Sequence, residues 1–223
     1  MTEEGLARSE AVARVEAILD AVESETMPVP VREVWVYGDV VLGVDPVPRV
    51  NVYLTKDLLF KDAPEREAEF VESHGIEGVG KTVRAAWADE HPEYLRANSN
   101  GHAAPEKCLA AHLLDDDEPV HLEVCNTGFE RNVTQRLEGA KARDDYTQLL
   151  DPRAAMLWAG NGEESRRSGE ALSKLRENEF VLPTLSAALA MLGLEDDEAD
   201  RAAERLREYQ RDRRGATVRG DVV

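Results

Sequence analysis

Val120-His121-Leu122-Glu123-Val124-Cys125 alternates along its whole length. Val120, Leu122 and Val124 fall on one face of an extended chain, and His121, Glu123 and Cys125 on the other. The segment reads as a strand with an apolar face for a core and a titratable face opposite it. Just beyond it, Thr127-Gly128-Phe129-Glu130 has capping-box spacing, with Thr127 capping the third helical amide and Glu130 reaching back; a helix is predicted from there to about Ala142. Before the strand, Pro105 opens a helix through Leu114. The run Asp115-Asp116-Asp117-Glu118 ends it, because carboxylates oppose the negative end of the helix dipole.

Further out, Leu6, Val12, Val15, Ile18, Leu19 and Val22 recur near the helical period, giving an amphipathic first helix that Met27-Pro28-Val29-Pro30 terminates. Val31 to Gly43 and the alternating Val50 to Leu54 read as a hairpin with a longer loop, Asp45-Pro46-Val47-Pro48, in which Gly38 marks a bulge. Polar helices are predicted over 65–73, after Pro64, and over 81–89. Past a polar loop from Gly160 to Gly169, helical patterns run through Leu172 to Phe180, Leu182 to Leu192 and Asp196 to Arg211. The expected fold is α+β: a small, mostly antiparallel sheet made of the hairpin and the Val120 strand, covered by helices, with a helical C-terminal subdomain. Residues 1–159 form the core domain in this reading, and 160–223 a helical extension with a polar tail.

Composition narrows the setting. The chain of 223 residues carries 45 Asp and Glu against 27 Lys and Arg, a net charge of −18, and only six of the basic residues are lysines. A dense carboxylate surface keeps a protein hydrated where salt shortens the Debye length to ~3 Å, so the balance fits a halophilic, salt-loaded cytoplasm. It argues against an extended nucleic-acid track, which needs clustered cations and weakens steeply with salt. Arg211, Arg213, Arg214 and Arg219 read as a frayed, solvated tail. No secretory leader or run of ~18 apolar residues is visible, and two cysteines, Cys108 and Cys125, make no disulfide framework. The expected location is cytoplasmic, without membrane contact.

Four patterns carry possible chemistry. Gly75-Ile76-Glu77-Gly78-Val79-Gly80-Lys81-Thr82 fits the phosphate-cradling pattern of P-loop NTPases, but that loop must follow a buried strand and here follows a polar helical stretch; a helix connection without ATP affinity is expected. Cys108-x3-His112 and His121-x3-Cys125 suggest a Cys2His2 zinc site. On a strand, however, His121 and Cys125 stand roughly 13 Å apart, too far for zinc bonds of ~2.0 to 2.3 Å. The metal candidates are therefore Cys108, His112 and His102 with at most one strand residue, against the plainer reading of partly buried polar side chains.

Cys125-Asn126-Thr127-Gly128-Phe129-Glu130-Arg131 resembles the Cys-x5-Arg loop of cysteine-dependent phosphatases over this strand, loop and helix start. The resemblance implies Cys125 as nucleophile, activated at a helix N-terminus, and Arg131 as phosphate clamp; Glu130 departs from it by placing a carboxylate beside the cradle. The hairpin from Val36 to Tyr53 resembles a nucleotidyltransferase palm, yet Asn51 and Tyr53 stand where that fold needs metal-binding acids. Gly101 through Cys108, Val120 through Asn126 and Asn132 to Leu137, taken together, resemble a family of uncharacterised haloarchaeal proteins, which implies no activity. The reading is a non-catalytic or regulatory protein that binds a protein or small-molecule ligand, with no required cofactor and zinc as the candidate metal. Its alternatives are a phosphate-handling hydrolase at Cys125 and Arg131 or a metal-binding protein at Cys108 and His112.

The charge balance yields a test. Thermal melts should lose stability steadily as KCl is lowered from molar to millimolar, because 45 carboxylates repel one another once screening is removed. Unchanged melting temperatures across that range would count against the salt-adapted reading.

Overall fold

The computed structural model describes residues 5–56, 68, 72, 76–77, 84–85, 105–160, 164–211 and 215–220. In chain order the elements are α1 (Arg8–Ser24), β1 (Val31–Tyr37), β2 (Val50–Lys56), β3 (Ile76–Glu77), β4 (Arg84–Ala85), α2 (Pro105–Leu113), β5 (Val120–Cys125), α3 (Phe129–Arg143), β6 (Ala154–Gly160), β7 (Ser165–Arg167), α4 (Gly169–Glu177), α5 (Leu185–Met191), α6 (Asp196–Arg211) and β8 (Thr217–Arg219). This is an α+β fold. Its main sheet has six strands in the order β7-β6-β1-β2-β5-β8, and β3 and β4 pair separately. The sheet is mixed: β1–β2, β1–β6 and β6–β7 run antiparallel, β2–β5 and β5–β8 parallel.

Period-two alternation gives the sheet two unlike faces. On one, Val34 and Val36 of β1, Val52 and Leu54 of β2, and Leu122 and Val124 of β5 join a core closed by α1, α2 and α4. Those helices contribute their apolar stripes, including Val15, Ile18 and Leu19 from α1 and Leu172 and Leu175 from α4. Arg14 fastens α1 to the approach of β5 by donating to the Leu113 carbonyl at the end of α2 and to both oxygens of Glu118, where a cation suits the unpaired carbonyls of a helix C-terminus.

The second face is polar and aromatic, and α3 lies over it. Phe129 at the start of α3 sits among Trp35, Tyr37 and Tyr53, its ring centre 5.1 to 5.9 Å from theirs. Beyond α3, Leu137 and Ala140 pack with Tyr146, Leu149 and the apolar sides of α5 and α6 in a further cluster. Thus β7, α4 and β8, all past residue 160, belong to the main sheet and its core, while α5 and α6 close over α3.

Several expectations need correction. β1 stops at Tyr37, and Gly38, at φ +74°, begins a 3-10 turn instead of a bulge. A Cβ there would stand 3.1 Å from the Asn51 amide nitrogen, so glycine serves both the left-handed backbone and the close approach. The Thr127 capping box does not form: Gly128 is the N-cap of α3, without a side-chain cap. Strands β6, β7 and β8 had no sequence signal. Arg219 is not part of a frayed tail, since β8 pairs in parallel with β5 from Thr217 to Arg219. β5 is buried on both faces, its titratable face included, and pairs in parallel with β2 and β8. The predicted helices over 65–73 and 81–89 fall mostly outside the described residues, as does Gly75 to Thr82 apart from β3.

Leu122, fully buried on the apolar face, should cost ~2–5 kcal/mol when changed to Ala. Met156, 41% exposed, should cost no more than about 0.5 kcal/mol in the same exchange. Urea unfolding of the two variants side by side measures the contrast.

Candidate functional site

Strand register assembles the polar face in rows. β1–β2 pairing sets Tyr37 beside Asn51 and Trp35 beside Tyr53. β2–β5 pairing continues these rows to His121 and Glu123 and sets Thr55 beside Cys125, and β5–β8 pairing adds Thr217 and Arg219. One row therefore reads Tyr37, Asn51, His121, Thr217 and the next Trp35, Tyr53, Glu123, Arg219.

Glu123 lies at the centre with no solvent exposure. Arg136 of α3 donates through Nη2 to its Oε1 at 2.5 Å, Arg219 donates through Nε to both oxygens at 2.8 Å, and His121 Nε2 lies 3.1 Å from Oε2. Burial alone would raise its pKa; the His121 hydrogen bond and the charges of Arg219 and Arg136 outweigh that and hold the carboxyl down at about 2. An ionised carboxylate only accepts, so His121 Nε2 carries a proton. His121 Nδ1 faces the Thr217 hydroxyl at 2.8 Å, and that hydroxyl already accepts from Arg49 Nη1 at 2.8 Å. Arg49, Thr217, His121 and Glu123 thus form one continuous hydrogen-bonded chain.

A second chain fixes Arg136. The Tyr53 hydroxyl donates to the Thr127 carbonyl and accepts from Asn132 Nδ2 at 2.8 Å, while Asn132 Oδ1 accepts from Arg136 Nε at 3.2 Å. Asn132 and Arg136 are one helical turn apart and share the buried side of α3. Among the described residues Arg136 Nη1 is buried with no hydrogen-bond partner, and Arg219 Nη1 donates to Gln148 Oε1 at 3.0 Å. Two guanidinium groups thus converge on one carboxylate, leaving the cluster a surplus of positive charge.

The first row ends in a small cavity of about 20 Å³. Arg49, Asn51, His121 and Arg219 form its polar side, and Leu149, Leu206, Tyr37 and Tyr209 much of the rest. Burial pushes the Tyr37 hydroxyl pKa up, with Glu123 adding to the effect, so that ring offers a neutral O–H donor.

The residues singled out by sequence are distributed differently. Cys125 is fully buried on the polar face, and the arginine near its sulfur is Arg136, with Nη2 3.6 Å away; Arg131 is exposed. Cys108 is buried in the cluster on the opposite side of the sheet, where burial pushes its thiol up to about 12. His112 Nε2 lies 2.9 Å from Glu25 Oε2, and His102 lies outside the described residues. Among the described residues no group of three His, Cys, Asp or Glu side chains could hold a metal ion, and no helix is long and apolar enough to cross a membrane. Sequence reasoning missed Arg136, Arg219, Arg49 and the role of Glu123. For Arg136 a signal existed: with Asn132 it sits inside the stripe Phe129, Val133, Leu137, Ala140.

Glu123→Gln should destabilise the fold at neutral pH by roughly 3–5 kcal/mol, because the buried Arg136 and the partly buried Arg219 lose their counter-charge. The Glu123 pKa is depressed on folding, from an ordinary 4.5 to about 2. Its contribution is therefore complete above about pH 4.5 and is lost as pH falls toward 2. Urea unfolding at a series of pH values should show the gap between wild type and Glu123→Gln narrowing across that window; a gap independent of pH would contradict an ionised Glu123.

No curated protein and no solved structure matches the chain. Residues 7–223 match the model of DUF7095, a family of unknown function, and the chain belongs to that family.

Proposed function

We propose that this protein is a non-catalytic binding protein and that its ligand presents an anionic group to the cavity beside β5 and β8. The observation that carries the reading is the convergence of Arg49, His121 and Arg219 on one small concave space, beside a carboxylate bound by two arginines. Fixed donors around a small concave site are the usual means of orienting a polar ligand group. In a chain with net charge −18, gathering guanidinium groups in the interior runs against the average composition.

Binding is favoured over catalysis by the state of the reactive groups. Cys125 has no exposure through which a substrate could reach its sulfur. The Glu123 oxygens are occupied by arginine and histidine donors. Asn51 and Tyr53, in the strand where the palm-like reading requires acids, take part in the polar rows instead.

The test is ligand-linked stabilisation. At constant ionic strength, at least one of acetate, benzoate, sulfate and phosphate should raise the melting temperature saturably. Arg49→Met should weaken that response at least about tenfold, the size expected for losing a charge-assisted contact of ~1.5 kcal/mol or more. Tyr209→Phe, on the rim, serves as a milder second variant should Arg49→Met prove unstable without ligand. Absence of a saturable response to every anion would refute the proposal.

A further inference from the structure

We infer a second binding site at the β7 edge of the sheet, far along the strand order from β8: an open hollow that takes a free α-amino acid, with its ammonium on Glu33 and its carboxylate on Arg166 and Arg32. Strand register builds the site. Glu33 pairs with Thr55 on one side and Ala159 on the other, Thr55 pairs with Cys125, and Ala159 pairs with Arg166. A third row of the polar face therefore reads Cys125, Thr55, Glu33, Ala159, Arg166. Arg167, the next residue of β7, serves the opposite side, where it pairs with Asp20 and Glu23 of α1. Met156, paired with Trp35 on the same polar face, is 41% exposed, so the face is open here. The hollow over Ala159 and Gly160 measures about 750 Å³, within the ~300–1,000 Å³ of small-molecule clefts.

Glu33 is held ready for an incoming donor. Trp35 Nε1 at 3.1 Å and the Thr55 hydroxyl at 2.8 Å both donate to its Oε2. The carboxylate also stands against Gly128, the N-cap of α3, and the positive end of a helix suits it. Among the described residues Oε1 accepts no hydrogen bond. An ammonium, with three donors and no acceptor, fits that oxygen.

The arginines supply the other half. Arg14, Arg153, Arg167 and Arg176 each have a carboxylate partner, whereas Arg32 and Arg166 have no ion-pair partner among the described residues. Two exposed guanidiniums left over in a chain of net charge −18 are donors for a carboxylate. Arg166 and Glu33 stand two strand spacings apart, roughly 10 Å between Cα atoms, and the gap between them is spanned by the small Ala159. Arg32, Glu33, Glu164 and Arg166 are the charged residues around the hollow, two of each sign. A simple anion there meets two carboxylates and a simple cation two guanidiniums. A molecule with both charges a few bonds apart is matched at each end.

Heteronuclear NMR titration of the full chain at constant ionic strength, with L-alanine, N-acetyl-L-alanine and L-alaninamide, tests the assignment. The reporter is the indole N–H of Trp35, one of three tryptophans, identified by its loss in Trp35→Phe. L-Alanine should shift this signal saturably. The two capped forms, each lacking one charge, should bind at least about fivefold more weakly, the upper end for one exposed ion pair. Glu33→Gln and Arg166→Gln should each weaken L-alanine by a similar factor; Arg166 is exposed, so its variant keeps the test valid if Glu33→Gln melts early. L-Alaninamide binding as well as L-alanine would reduce the site to a cation site, and N-acetyl-L-alanine doing so would reduce it to an anion site; either overturns the inference. So does the absence of a saturable shift with L-alanine, or a shift unchanged in Arg166→Gln.

Discussion

A carboxylate cut off from water needs partners fixed in place, and Glu123 draws them from two separate elements. Placing an ionised side chain in the interior costs several kcal/mol, which only well-aligned charges and hydrogen bonds offset. Arg136 reaches Glu123 from the helix lying over the sheet, Arg219 from the last strand, and His121 from two residues earlier on β5 itself. Because α3 and β8 each send one guanidinium to the same group, the carboxylate fixes both the seating of the helix and the register of a strand only three residues long. Apolar packing for β8 is limited to Val218 against the core, since its residues are only partly buried.

The division between the faces follows from that. On the apolar side, Val34, Val36, Val52, Leu54, Leu122 and Val124 are held by area removed from water, which is indifferent to direction. On the polar side, hydrogen bonds from Tyr53, Asn132 and Arg136 carry strict geometry, so a shift of one residue in β5 would exchange the two faces and leave Glu123 against valines. Both edges of the sheet are short: β7 and β8 have three residues each, with Arg166 and Arg167 in one and Arg219 in the other. Short, charged edge strands resist pairing with other sheets.

How far this was legible in the sequence depended on whether a signal was periodic. Strict alternation located β5 to the residue, and proline and charge placed the boundaries of α1 and α2 closely. Ala154-Ala155-Met156-Leu157-Trp158-Ala159-Gly160 became a strand without alternation and with little β-branched character, so its pairing with β1 and β7 explains its state. Three-residue strands carry no period at all, and Arg219 followed a run of arginines that resembled a solvated tail. At the site, Cys-x5-Arg spacing directed attention to Arg131, but spacing along a chain does not say which way a helical side chain faces. The helical period does: Phe129, Asn132, Val133 and Arg136 share the buried side of α3, and Arg131 lies off it.

The rows also bear on the ligand chemistry proposed for this face. A site for a metal cation needs carboxylates with unused lone pairs, and here the central carboxylate already receives Arg136, Arg219 and His121. What exceeds internal need is donor capacity: two guanidiniums share one acid, and Arg136 Nη1 has no partner among the described residues. The internal carboxylate orients these donors before any ligand arrives, so little side-chain ordering is left for binding to impose, and pre-ordered donors lose less on association than mobile ones. Removing the acid to increase the positive charge would therefore not improve such a site, because Arg136 and Arg219 would lose the group that aims them.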